Sequence, residues 1–456
     1  MTTLTSTTYR WFAPLWAGAV LFHLAGNPFN IKSWTTIGQL EAVMGLLALS
    51  LLIRPGQGRL AAMAAIHVPI VLLKAPVIGN HEMIEGFIHL AILGAMLHRG
   101  RDWMTVFVPA ARAILIVAYG FIAFSKLNSD FLDPAVSCAV LFGDEIGRRI
   151  GMLVSDNAVL SNLVIWGTLA AEVTIPIALL RRWRNAVPFA LAFHFVLALD
   201  PVNHVYDFSS TLLPLFLLFL PPEFETFAAA RIRPLAGRVT RQPTLTLPLV
   251  VALIALLEVL VLVGDLRIWL VAYPIWLVVG VASLALAVAF RWESAGRVPG
   301  PLFGPLAPAL IVVIALTALN GLAPYLEIKT AAGFNMYSNL LTAQGETNHL
   351  LVPGTFPLTD TQERLVEVVE SDDPGLSYYA ETGLLLTIPS VQTYLADHPN
   401  VTARVRIDGQ VLEIGPDTIP PEVAGQPGWL EAKFGHFRAL DLDGSKSCLR
   451  YWYAAH

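Results

Sequence analysis

Charge is what this chain has least of: 14% of its 456 residues are Asp, Glu, Lys or Arg, against about 25% in soluble domains. The net charge of −5 is small and spread out, which excludes the strongly basic surface of a DNA or RNA binder. Glycine-rich phosphate loops, Cys/His zinc spacings, internal repeats and low-complexity tracts are also missing. Nucleotide and structural-zinc readings therefore have no motif to stand on. Cysteine is scarce, with only Cys138 and Cys448.

What fills the chain instead is apolar sequence: 55% of residues are hydrophobic and the mean hydropathy is +0.62. Stretches long enough to cross a roughly 30 Å hydrocarbon core as helices begin near Trp11, Gln39, Leu60, Met83, Ala111, Ala158, Ala186, Ser209, Leu245, Arg267 and Phe303, about eleven in all. Lys and Arg in short loops prefer the cytoplasmic side. With the N-terminus inside, the inner loops hold thirteen (Arg54, Arg59, Arg99, Arg101, Arg181, Arg182, Arg184, Arg231, Arg233, Arg238, Arg241, Arg291, Arg297) and the outer ones five (Lys32, Lys126, Arg148, Arg149, Arg267). The expectation is an all-α polytopic membrane bundle, N-in and C-out, over residues 1–325. A small α+β extracytoplasmic domain is expected over 326–456, and the location is a multi-pass cell (plasma or inner) membrane. The first apolar run reads as a retained span, because Arg10 is its one flanking cation and no small-residue cleavage site follows. This topology puts both cysteines on the oxidising side, where two readings stand: a disulfide or two free thiols.

Past about Leu326 charges, Pro and Gly become frequent. Val401, Ala403, Val405 and Ile407 alternate with polar residues, and Asp408-Gly409 leads into Gln410–Ile414, a two-residue hairpin signature. Ser390–Ala396 behind Pro389 predicts a short helix, and Phe437–Leu442 before Asp443-Gly444 a further strand and turn. Phe224–Arg241 reads either as an interfacial amphipathic segment or as a plain cytoplasmic loop.

Polar groups at the span ends collect on the outer side: Asn80 and His81, Lys126, His194, then Asp200, Asn203, His204 and Asp207. Groups of this kind are expensive beside lipid and face a bundle interior or a cavity. His81, Glu85 and His89 share one helical face; they permit metal ligation with Glu41, Glu172 or Glu258, or simply interhelical hydrogen bonds. Arg112 and Lys126 lie about four turns apart on nearly one face. Arg112 alone reads as an anchor at the cytoplasmic end, and Lys126 as either a snorkelling anchor or a catalytic base.

Arg112 followed by Lys126-Leu127-Asn128-Ser129-Asp130-Phe131 resembles a helix of the vitamin K-dependent gamma-carboxylases and their bacterial relatives, the HTTM-domain membrane proteins. Asn80-His81 before Gly86 and Phe193-His194 resemble two further segments of that family. Pro324-Tyr325, Lys329-Thr330, Met336-Tyr337-Ser338-Asn339-Leu340 and Asn348-His349-Leu350 look like its bacterial branch.

The resemblance implies a carboxylase of the carbon–carbon lyase class. Lys126 would deprotonate a reduced, vitamin K hydroquinone-like quinone, with oxygen and carbon dioxide as co-substrates and a protein or peptide glutamate as acceptor. An amine serves as a base near neutral pH only where burial favours its uncharged form. By the same resemblance, His81 would orient the quinol, and Asn80, His194 and Arg112 would help to bind it. Two features depart from the family: nothing corresponds to the animal enzyme's propeptide-binding lumenal region, and Asp200-Pro201-Val202-Asn203-His204 follows a different pattern. The expected partners are the lipid bilayer and a quinone, with no nucleic acid and no metal. The competing expectation is a non-catalytic membrane anchor or partner protein on the same scaffold.

Overall fold

The computed structural model describes residues 10–26, 34–98, 102–148, 151–199, 205–239, 269–293, 302–304, 306–444 and 448. The protein is mostly helical with a small sheet region. Its apolar runs are helices: α1 (Phe12–Gly26), α2 (Thr36–Ile53), α3 (Gln57–Lys74), α4 (Asn80–Leu97), α5 (Trp103–Phe124), α6 (Ala158–Leu180), α7 (Ala186–Leu197), α8 (Val205–Leu217), α9 (Trp269–Glu293) and α10 (Pro308–Leu322). The run near Leu245 lies outside the described residues. Among the described residues, four helical stretches, Thr36–Ile53, Trp103–Phe124, Ala158–Leu180 and Ala272–Glu293, are long and apolar enough to cross a membrane. The exposure pattern agrees. Along α6, Ile165, Leu169 and Ile175 are buried, while Val159, Leu163 and Trp166 are more than half exposed. A face so apolar on its outside belongs against lipid, not water.

The chain forms two compact units, neither continuous in sequence. The first joins the chain up to Leu73 with Ile84–Ile116 and Thr174–Ile314. In it α1 packs on α2, α8 and α9, and Phe224 and Phe227 of the helix Glu223–Val239 pack edge-on against Phe290 of α9. That helix occupies the segment read above either as an interfacial amphipathic segment or as a plain loop.

The second unit joins Lys74–Met83 and Val117–Val173 to the chain from Ala315 onward. Within it the end of α5 meets α10 closely. A Cβ on Gly321 would fall 2.2 Å from the Phe121 ring, so only glycine fits there.

The C-terminal part of this unit is an antiparallel sheet of β1 (Leu365–Ser371), β2 (Leu385–Thr387), β3 (Ala403–Ile407) and β4 (Gln410–Ile414), ordered β2-β1-β3-β4. The expected hairpin is β3-β4, with Ile407 opposite Gln410 and Asp408 and Gly409 both left-handed (φ 50° and 78°). The expected helix behind Pro389 is Ile388–Asp397. It buries Val391, Tyr394 and Leu395 with Val366, Leu386 and Val405 of the strands. The strand expected over Phe437–Leu442 is a correction: it contracts to one bridge, Leu385 with Leu440. The backbone amide of Arg438 is taken by the Thr330 hydroxyl at 2.8 Å, so the ladder does not extend. The turn after it does form, with Gly444 at φ 62°.

Cys138 and Cys448 are joined, with Cα atoms 4.7 Å apart, so the disulfide is the reading that holds. The bridge sits in an apolar cluster with Phe131, Val140, Val154, Ile165 and Leu169.

Candidate functional site around Lys126

Helix α5 ends at Phe124, and Ser125 and Lys126 form the turn that follows. Lys126 does not snorkel: it is 4% exposed, and its Nζ lies 2.9 Å from Oε2 of Glu172 on α6, itself 7% exposed. The remaining Nζ contacts are long, 3.4 Å to the carbonyls of Ile122 and Met336. The Glu172 contact is close in distance but not aligned as a hydrogen bond. Tyr119, one helical turn or so before Ile122 and also buried, lies within electrostatic reach of Glu172. The result is an amine and a carboxylate held together away from water.

Asn128 and His349 fix the turn. Asn128 is fully buried; its amide donates to the carbonyls of Ser125 (2.8 Å) and Ser338 (2.6 Å), and its Oδ1 accepts from Phe131 N (2.8 Å). A second tie comes from His349, whose Nε2 meets the Phe124 carbonyl at 2.9 Å while Nδ1 accepts from the amides of Leu351 and Val352. Burial holds the His349 imidazole below its usual range, opposed by the Phe124 hydrogen bond. A neutral ring with its proton on Nε2 satisfies all three bonds. His349 thus caps the carbonyl end of α5.

Residues 327–344 wrap this turn in an unusual backbone. Glu327, Ala332, Phe334, Tyr337, Asn339 and Gln344 all have φ between 47° and 56°, the left-handed region that non-glycine residues seldom occupy. Each such residue costs about 1–3 kcal/mol, and they concentrate where a structure must hold groups in place. Here the segment presents the Met336 carbonyl to Lys126 and the Ser338 carbonyl to Asn128. Asn80, also fully buried, grips the same segment: its Oδ1 accepts from Phe334 N at 2.7 Å. A cleft of about 70 Å³ opens beside it, lined by Asp130, Thr330, Ser338, Arg438 and Asp441 among others. That volume suits a few molecules the size of water or carbon dioxide.

Among the expected site residues, Lys126, Asn80 and His81 belong to this unit. His81 is half-buried, with its ring over Gly79, where a Cβ would lie 2.5 Å from Cε1. Arg112 and His194 belong to the other unit. The Arg112 guanidinium donates to the carbonyls of Leu218 (2.9 Å from Nε) and Leu302 (3.1 Å from Nη1). His194 is buried among the rings of Phe193, Phe208 and Phe216, with Ser209 Oγ 3.1 Å from its carbonyl.

Glu85 and His89, considered above as metal ligands, are taken up in a buried chain of hydrogen bonds. Trp16 Nε1 donates to His89 Nε2 (2.8 Å), which puts the His89 proton on Nδ1, facing His67 Nδ1 at 2.8 Å. His67 Nε2 then faces Glu85 Oε2 at 3.5 Å, and Thr211 donates to Glu85 Oε1 at 2.7 Å. This is the interhelical hydrogen-bonding alternative. Asp200, Asn203, His204 and Glu258 lie outside the described residues.

Two participants had no local signal in the sequence. Glu172 stood only as one buried acid among three, and His67 was not singled out. An acid embedded in an apolar run needs a cation nearby, which marks Glu172 as a residue to be paired but does not say with which cation. No protein-family model, curated protein or solved structure matches this chain.

Proposed function

We propose that this chain is a membrane-embedded, quinol-dependent enzyme of the carboxylase-like class, in which Lys126 takes the hydroxyl proton of a reduced quinone. One observation carries the reading: apart from Arg112 and Phe193-His194, which lie in the other unit, the sequence pieces that resemble the family gather around a single buried amine though far apart in the chain. Asn80 holds Phe334, the Met336 carbonyl faces Lys126, Asn128 holds Ser338, and His349 caps the helix that delivers Lys126.

The residues present fit an oxygen-bearing ring. Asn80 Nδ2, Asn335 Nδ2 and the Tyr325 hydroxyl are buried polar atoms with no hydrogen-bond partner among the described residues. A buried donor left unpaired costs about 1–3 kcal/mol, and a hydroxyl or carbonyl oxygen of a ligand would recover that. When bound, a reduced quinone supplies an oxidisable hydroxyl whose reaction with oxygen yields a strong base. Lys126 Nζ would receive the hydroxyl proton, and Asn80 Nδ2 would hold an oxygen of the ring. The apolar cluster of Phe131, Val140, Val154, Ile165 and Leu169 would help to keep water out of this unit. In this reading the chain crosses the plasma or inner membrane about eleven times, with its C-terminal domain extracytoplasmic.

A second reading, a non-catalytic anchor or partner protein, is favoured by the Lys126–Glu172 ion pair itself, which satisfies the amine with no ligand. Hydroquinone-dependent oxygen uptake separates the two. The enzyme reading expects uptake by the purified protein that is abolished in a folded Lys126→Ala variant; equal uptake by both proteins would refute Lys126 as the base.

A further inference from the structure

Glu172 has no part in the chemistry derived so far, yet it is the acidic neighbour in contact with the amine on which that chemistry depends. Its Oε2 lies 2.9 Å from Lys126 Nζ, both side chains are over nine-tenths buried, and no other acid is recorded against that amine among the described residues. A lysine already paired with a carboxylate cannot accept a proton until it has given one up. Among the described residues, the one side-chain acceptor recorded in contact with it is Glu172; Tyr119, within electrostatic reach of that carboxylate, is a phenol that already carries its own proton.

Resting on the quinol reading, we infer that Glu172 is the final acceptor of the hydroquinone proton and that Lys126 relays it. The proton count closes without any further reagent. At rest the site holds an ammonium at Lys126 and a carboxylate at Glu172. In this dry setting the charged and uncharged forms of the pair are interchangeable by one proton transfer, and as a hydroquinone binds, the proton moves from Nζ to the Glu172 carboxylate. The free amine of Lys126 then takes the hydroquinone's hydroxyl proton. Lys126 ends as an ammonium beside the deprotonated hydroquinone oxygen, Glu172 ends as a neutral acid, and the total charge is unchanged. Lys126 has exchanged one anion for another, so the charge of the reacting oxygen is neutralised as it forms.

The 2.9 Å separation puts Nζ and Oε2 within reach of direct proton transfer, and the 3.4 Å carbonyl contacts leave the amine room to turn towards a second oxygen. The rigid frame lies in the residues that position the turn: Asn128 and His349 make the short hydrogen bonds, and Lys126 makes the long ones.

The test is infrared difference spectroscopy of the full chain in lipid nanodiscs, adding vitamin K hydroquinone under argon, with oxygen-uptake rates measured in parallel. Wild type is expected to gain a protonated-carboxyl band that Glu172→Gln lacks. The Gln variant should also oxidise hydroquinone at least about tenfold more slowly at pH 7, with a rate rising about tenfold per pH unit as its amine must lose its proton to bulk water. Glu172→Asp should recover part of the rate and the band, which a purely structural role for the carboxylate would not require. Should Glu172→Gln fail to fold, the wild-type and Asp spectra decide. Hydroquinone oxidation by wild type with no carboxyl band, or a Gln variant with wild-type rate and pH profile, would overturn Glu172 as acceptor while leaving Lys126 in place. If wild type does not oxidise hydroquinone, the quinol reading falls and this inference with it.

Discussion

Replacing Lys329 by Met is expected to stabilise this protein at neutral pH. Lys329 follows α10, outside the apolar helices, and is 8% exposed. No hydrogen bond or ion pair to a described residue neutralises it. Burial lowers its amine from the ordinary 10.5 to about 8. Below that value the folded protein must carry a buried ammonium that the unfolded chain solvates freely. The cost is roughly 3 kcal/mol at pH 7. The unfolded state binds the proton more tightly, so stability rises as pH climbs from about 8 towards 10.5 and levels off beyond it. Met has similar length, no charge and a flexible stem that fills irregular space. Thermal unfolding in detergent at pH 7 should therefore place Lys329→Met above wild type by about 3 °C. The gap should close by about pH 10.5. A variant that is less stable at pH 7, or a gap that does not narrow with pH, would refute the uncompensated-ammonium argument.

Two further outcomes follow from the unit that holds Lys126. Opening the Cys138–Cys448 bridge with Cys448→Ser should lower stability by about 2–5 kcal/mol, because the bond closes a span of 310 residues; peptide mapping without reductant should recover the linked pair from wild type, and free thiols at both positions would contradict it. His349→Phe keeps the ring between Phe124 and Tyr325 but removes the cap on the Phe124 carbonyl and the acceptor for Leu351 and Val352. It should cost about 1–3 kcal/mol at pH 7.5, read by thermal melting. Since the folded imidazole is held below its usual range, the wild-type advantage should shrink as pH falls below about 6.5, and an advantage that grows in acid would contradict the neutral-ring assignment.

The sequence was most legible where periodicity or turn chemistry decides structure locally. Apolar runs became helices, and Asp408-Gly409 supplied the left-handed pair that a two-residue hairpin demands. Lys126 was conspicuous for the same reason, a charge where the run should be apolar. Its partner was not, because Glu172 sits on a different helix and nothing near Leu169 or Ile175 tells which cation it meets. The segment from Glu327 to Gln344 hid its conformation altogether: six left-handed residues, none of them glycine, are imposed by tertiary hydrogen bonds such as that from Phe334 N to Asn80. Phe437–Leu442 shows the converse, a strand pattern whose Arg438 amide is taken by the Thr330 hydroxyl, leaving a single bridge at Leu440. Arg112 and His194, grouped with Lys126 by motif, each make their contacts in the other unit with carbonyls, a hydroxyl and aromatic rings.

The most direct test of the account is oxygen consumption by the purified full chain supplied with vitamin K hydroquinone, measured for wild type and for Lys126→Ala verified as folded. Lys126 as the proton-taking amine requires uptake by wild type and none above background in the variant. Equal rates in the two proteins, or no uptake by wild type, would contradict it.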